Sequence, residues 1–276
     1  MPLLSRRCCA LVRLALGLAV LVLAPLAVAS AAQEQRLLFI GNSLVYTGNL
    51  PAVLDALAAA NGQRLHSEML VKAGATLQQR VADGSARAVV ERGHYDRLVL
   101  QERGGELAGD RDGARVRQSE AAHAALAALA RAHAASVLLL GTYQDDARVA
   151  ERLQRAEASL ARRLRLRHVP VALPLLRVRA AAPQGAWLAE DGLHPGADLT
   201  LLEAVLLYRE IYRAWPAAVG FRVPAPLYAP QTRFDPPRLA SDYALQREPA
   251  APSREVSAAD MAAVLALLAA PSARRE

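Results

Sequence analysis

Five short apolar runs alternate along the chain with longer Ala/Leu-rich stretches whose apolar positions recur at helical spacing. The runs Arg36 to Gly41, Arg64 to Val71, Arg97 to Gln101, Ser136 to Thr142 and His168 to Leu173 are predicted strands. Helices are predicted at Leu50 to Ala60, Ser85 to Arg92, Ala114 to His133, Arg148 to Leu164 and Leu199 to Ala214. Strands that are apolar throughout, each followed by a helix, indicate a parallel sheet covered on both faces. Asn49 before Leu50-Pro51 is a helix-start signal, and Asn61-Gly62 a left-handed stop. No internal repeat accompanies the alternation.

Both ends break this pattern. Arg6, Arg7 and Arg13 precede an apolar stretch from Leu14 to Ala29, which closes on small A-x-A residues before Ala31. That order is expected of a secretory signal peptide over 1–31, and the stretch is short of the roughly 20 residues that span a bilayer. The expected protein is secreted or periplasmic, and meets a membrane only through an uncleaved leader. Removing 31 of 276 residues leaves 245 and takes away both cysteines, Cys8 and Cys9. Disulfides, thiolate nucleophiles and Cys-ligated zinc then drop out, so covalent catalysis falls to oxygen or nitrogen. At the other end, eight of the 16 prolines lie between Pro216 and Pro252. Segment 216–276 is expected to be a Pro-rich extension packed on the same domain, 32–215, with a terminal helix from Ala258 to Ala270 started by a Ser257/Asp260 capping box.

The composition, 53% hydrophobic, 21% charged and 4% aromatic, fits a globular protein rather than disorder. Without the three leader arginines the net charge of +7 falls to +4, and the remaining arginines are interleaved with acids. The cluster Arg162, Arg163, Arg165, Arg167 fits a solvated helix face, and no nucleic-acid partner is expected. Gly104, Gly105, Gly109 and Gly113 match neither G-x-G-x-x-G nor a P-loop and are expected to form a rim. Asp145-Asp146 has no histidine spaced to complete a metal site, so neither metal nor other cofactor is expected.

Ligands in open α/β sheets bind beyond the carboxyl ends of the strands. Ser43, two residues after the first run, is there the candidate nucleophile. Far downstream, Asp191-Gly192-Leu193-His194-Pro195 puts an acid three residues before a histidine. A tight turn through Gly192 lets Asp191 hold one imidazole nitrogen while the other faces outward as a base. Trp187, just before that turn, is a candidate wall of the substrate cleft.

The pairing of Phe39-Ile40-Gly41-Asn42-Ser43-Leu44 with the late D-x-x-H block resembles the SGNH (GDSL) hydrolase superfamily, in a branch with G-N-S at the nucleophile and L-Q-E in the third block. The likeness runs from about Arg36 to Tyr212. It implies a flavodoxin-like three-layer α/β/α fold on a five-stranded parallel sheet. It also implies a serine esterase with the triad Ser43, His194 and Asp191 and an oxyanion hole from Ser43, Gly74 and Gln101, acting on a small-molecule or glycan ester such as O-acylated carbohydrate. Two departures stand out: Asn42 replaces the commoner aspartate, and Leu98-Val99-Leu100-Gln101-Glu102 replaces G-x-N-D. An acyltransferase using the same acyl-enzyme is the alternative within enzymology. A non-catalytic carbohydrate-binding or envelope scaffold is the alternative outside it.

Overall fold

A computed structural model describes residues 33–109, 113–234, 238–240 and 254–270. The leader expected over 1–31 lies outside them. Among the described residues, no helix is long and apolar enough to cross a membrane.

The strands β1 (Gln35–Gly41), β2 (Leu65–Val71), β3 (Arg97–Leu100), β4 (Ser136–Leu140) and β5 (Arg167–Val169) are all parallel, in the order 5-4-3-1-2. Between them run α1 (Ser43–Tyr46), α2 (Leu50–Ala60), α3 (Leu77–Ala82), α4 (Ser85–Arg92), α5 (Ala114–Ala132) and α6 (Ala147–Leu164). After β5 come α7 (Ala172–Ala181) and α8 (Ala197–Tyr212). Alternate residues of each strand face opposite ways, which divides the core in two. Leu37, Phe39, Met69 and Val99 pack with α2, α7 and α8, whereas Leu38, Ile40, Leu70 and Leu98 pack with α3, α4 and α5. The sheet is thus the middle of three layers. Each fully buried aliphatic or aromatic side chain contributes roughly 1.5–3 kcal/mol.

Strand order reverses at β1, where successive connections leave to opposite sides. This opens a crevice between the carboxyl ends of β1 and β3. Gly41 lets those ends approach, since a Cβ there would lie 2.6 Å from Val45 Cγ2 and 3.2 Å from the Gln101 carbonyl oxygen.

The fifth predicted strand is corrected. It ends at Val169, because Pro170 has no N–H to continue a ladder, and residues 172–181 turn into a helix that tolerates Pro174 in its first turn. The sequence reading also passed over α3, which Thr76 and Gln79 start with a reciprocal capping box. In the C-terminal region, β7 (Arg238–Ala240) pairs antiparallel with β2, shielding that edge of the sheet. The strands β6 (Phe221–Val223) and β8 (Arg254–Val256) form a separate ribbon leading to α9 (Ala258–Ala269), whose Ser257/Asp260 capping box is formed.

Candidate active site

β1 delivers Gly41 to the crevice, and Asn42 then caps α1: its backbone is extended and its Oδ1 accepts the Leu44 N–H at 3.0 Å. Ser43 is the first residue of that short helix and is 9% exposed. Among the described residues its Oγ and N–H have no protein hydrogen-bond partner. The helix is anchored from outside the α/β domain. Tyr46 Oη donates to the Thr232 carbonyl at 2.6 Å, the Gly48 N–H to that of Tyr228 at 3.0 Å, and Asn49 Nδ2 to that of Pro226 at 2.7 Å. Tyr46, Tyr228 and Phe234 pack edge to face behind it.

Between α7 and α8 the chain folds into a closed loop. The Ala189 N–H donates to the His194 carbonyl at 2.9 Å and the Gly196 N–H to that of Trp187 at 3.0 Å. Inside it, Asp191 Oδ1 accepts the N–H groups of Leu193 and His194, both at 3.0 Å, while Oδ2 lies 2.6 Å from His194 Nδ1. These bonds, the His194 N–H first, hold the Asp191 carboxyl down at about 2. The acid is therefore ionised at neutral pH, fixes the Nδ1–H tautomer and leaves Nε2 as the basic nitrogen. Tyr143, beyond β4, donates from Oη to the Leu193 carbonyl at 2.8 Å and ties the loop to the sheet. Burial first, and then the charges of Glu203, Asp191 and Asp145, push that phenol well above its ordinary value, so it remains a donor.

Gly104 lies between the ends of β1 and β4: a methyl on it would sit 3.5 Å from Gln144 Nε2 and 3.9 Å from both Leu44 Cδ1 and the Tyr143 carbonyl oxygen. Ser43 Oγ and His194 are not hydrogen-bonded to each other here. Gly74 occupies the turn after β2 at φ +65°, where an added Cβ would meet nothing within 4 Å, and among the described residues its N–H has no backbone partner. Arg103, paired with Glu106, donates to the Gly74 carbonyl at 3.4 Å.

Two expected site residues are placed elsewhere. Gln101 is fully buried and turns down rather than out: its Nε2 lies 3.4 Å from the Gly141 carbonyl and 3.3 Å from Glu203 Oε1. Its backbone N–H still donates to the Ile40 carbonyl at 3.1 Å, while its side chain engages α8 and does not open onto the crevice. Trp187 is 5% exposed, and its Nε1 donates to the Ala182 carbonyl at 2.8 Å, which makes it core and not a cleft wall.

Glu102, the last residue of the L-Q-E block, completes the frame. Buried Glu102 accepts the N–H groups of Leu77 and Arg103 on Oε1 and the Ser119 hydroxyl on Oε2, joining the start of α3 and the end of β3 to α5. Its position directly after an apolar strand was the available signal. A cleft of about 600 Å³ adjoins Asp191 and the exit of α1, with Leu188, Leu227, Tyr228 and Arg254 among its walls. Leu193 stands beside His194 with 63% of its surface exposed.

No protein-family model matches the sequence, and no curated protein matches it. Solved structures do. A protein of Slackia heliotrinireducens, provisionally described as an SGNH hydrolase, aligns with a TM-score of 0.52 at 21% identity, over 65% of this chain and 100% of its own. The chain has the SGNH-hydrolase fold. A lipase/acylhydrolase from Enterococcus faecalis aligns with a TM-score of 0.53 at 16% identity, over 66% of this chain and 98% of its own. A DUF4886 family protein from Bacteroides uniformis gives 0.54 at 14%, over 66% and 84%. This fold places the crevice at the carboxyl ends of β1 to β3, where Ser43 and Gly74 lie.

Proposed function

We propose that the protein is an exported serine esterase that hydrolyses carboxylic esters through Ser43, His194 and Asp191. The observation that carries this reading is the 2.6 Å bond between Asp191 and His194 Nδ1, in a loop tied by Tyr143 to the sheet edge from which Ser43 emerges. His194 Nε2 takes the hydroxyl proton as Ser43 Oγ attacks the ester carbonyl, and Asp191 stabilises the imidazolium. The N–H groups of Ser43 and Gly74 are the donors available to the oxyanion. Collapse passes the proton to the leaving alcohol, and water then releases the acid from the acyl-enzyme. The cleft beside Asp191 offers room for the larger part of the substrate, for which an O-acylated carbohydrate is our first choice.

A fluorophosphonate probe and a short-chain aryl ester test the assignment. Ser43→Ala should abolish labelling and lower turnover at least ~10³-fold, with His194→Ala comparable. Near-normal turnover in Ser43→Ala would overturn it. A non-catalytic carbohydrate-binding scaffold is the second reading, favoured by the inward turn of Gln101, which leaves two oxyanion donors instead of three. It requires that the wild-type protein neither label nor hydrolyse.

A further inference from the structure

α8 carries one acid inside the apolar run from Leu199 to Leu207, and that residue, Glu203, is fully buried. Its Oε1 accepts from Gln101 Nε2. The atoms left over are the other oxygens of the same pair: Gln101 Oε1 and Glu203 Oε2 are both buried and both lack a hydrogen-bond partner. If Glu203 is ionised, both can only accept, and neither has a donor. A proton on Oε2 supplies the missing donor, so that acid and amide close a two-bond pair.

Among the described residues no cation is paired with it. Tyr143, after β4, feels the Glu203 carboxyl and stays neutral. From α2, packed along α8, Asp55 is bonded to Ser67. From β5, Arg167 pairs with Glu210 and His168 with Glu157.

We propose that Glu203 is held as the neutral acid and is a positioning residue, clamping Gln101 so that β1, β3 and β4 keep Ser43 and the His194 loop in register. The inference rests on the esterase reading above. The clamp reaches both sides of the site. The Gln101 N–H donates to the Ile40 carbonyl at 3.1 Å, and its own carbonyl packs against Gly41, two residues before Ser43. Its Nε2 donates to the Gly141 carbonyl, two residues before the Tyr143 that holds the Leu193 carbonyl. Burial raises the Glu203 carboxyl to about 8, partly offset by the Gln101 bond, so the clamp opens as pH rises through that value.

The test compares the wild type with Glu203→Gln, whose amide forms the same two bonds with no proton to lose. Wild-type kcat on an aryl acetate should fall about tenfold between pH 7 and pH 9 with KM little changed, while Glu203→Gln should stay flat over that range. A flat wild-type profile, or the same alkaline limb in Glu203→Gln, would overturn the proposal, and the wild-type profile alone decides if the variant does not fold. Thermal stability supplies a readout without turnover. The folded protein keeps the Glu203 proton that the unfolded chain releases above its ordinary value of 4.5, so the wild type loses stability from there up to about 8. The Tm advantage of Glu203→Gln should therefore grow over that window, and a constant difference refutes the neutral acid. If the wild type neither hydrolyses nor labels, the esterase reading fails and takes the positioning role with it, while the Tm series still judges the protonation state.

Discussion

Asp191→Asn isolates charge from shape at the proposed triad. An asparagine can keep its carbonyl oxygen on the Leu193 and His194 N–H groups, both 3.0 Å away, so the loop should survive. Its NH2 then faces His194 Nδ1 at the position where Oδ2 lies at 2.6 Å. Two donors cannot face each other, so the imidazole must place its proton on Nε2 and can no longer accept from Ser43. A buried triad acid replaced in this way costs about 10⁴-fold in turnover in chymotrypsin-type proteases. The Asp191 side chain is 38% exposed, so water screens part of its effect. The expected loss in kcat/KM is about 10²- to 10³-fold, or roughly 2.7–4 kcal/mol of transition-state stabilisation. Stability should change by less than about 1 kcal/mol, because both backbone bonds persist. Steady-state hydrolysis of an aryl ester at pH 7, with a melting curve on the same sample, reads both numbers. A kcat/KM within threefold of wild type would refute the tautomer argument, and equal loss of turnover and fold would make the turn structural.

Tyr46→Phe removes the bond to the Thr232 carbonyl while keeping the ring stack, and should cost about 1 kcal/mol in urea denaturation; an unchanged midpoint would mean that the strap does not hold α1. Glu102→Ala leaves the Leu77 and Arg103 N–H groups and the Ser119 hydroxyl without their acceptor, for an expected loss of about 2–4 kcal/mol and a fall in kcat as the Gly74 turn loosens. Wild-type activity retained at full stability would contradict that. Between pH 4 and 8 the wild type should become less stable, because burial raises Asp55 to about 7 and Glu203 to about 8. Each keeps its proton only when folded, so its favourable contribution fades as pH climbs through this window. A Tm that rises steadily from pH 4 to 8 would refute the assignment of those two carboxyls.

The strands were legible because they are apolar on both faces, whereas α6 carries its apolar positions on one; period separates Leu37 to Ile40 from the α6 stretch. The Asp191/His194 contact was legible for a local reason, since three residues around a glycine at φ +65° are enough to form it. Gln101 was not. Its direction depends on where β3 ends and on an acid 102 residues later in α8, and neither follows from local pattern. Trp187 misled similarly: proximity in sequence to the D-x-x-H turn said nothing of the Ala182 carbonyl that draws its indole inward. α7 was hidden by the pair Val169-Pro170, which prolongs an apolar run in sequence while ending the ladder in space.

Gln101 and Glu203 act on each other, and Asn42 keeps a further charge out of the buried nucleophile loop. Asn42 is only 1% exposed, so an aspartate in its place would put a charge where water cannot reach it. The amide caps α1 through Oδ1 without that charge. Gln101, in turn, has the extra methylene that an asparagine lacks, and it is the side chain that meets Glu203 on α8. On this argument, changing Gln101 to Asn should disturb the protein more when Glu203 is present than in a Glu203→Leu background, where no buried carboxyl awaits a donor. A double-mutant cycle on stability measures that coupling directly, and it should fall in the range of about 0.5–3 kcal/mol found for residues in one hydrogen-bonded network. Additive effects would mean that Gln101 and Glu203 do not act as a pair.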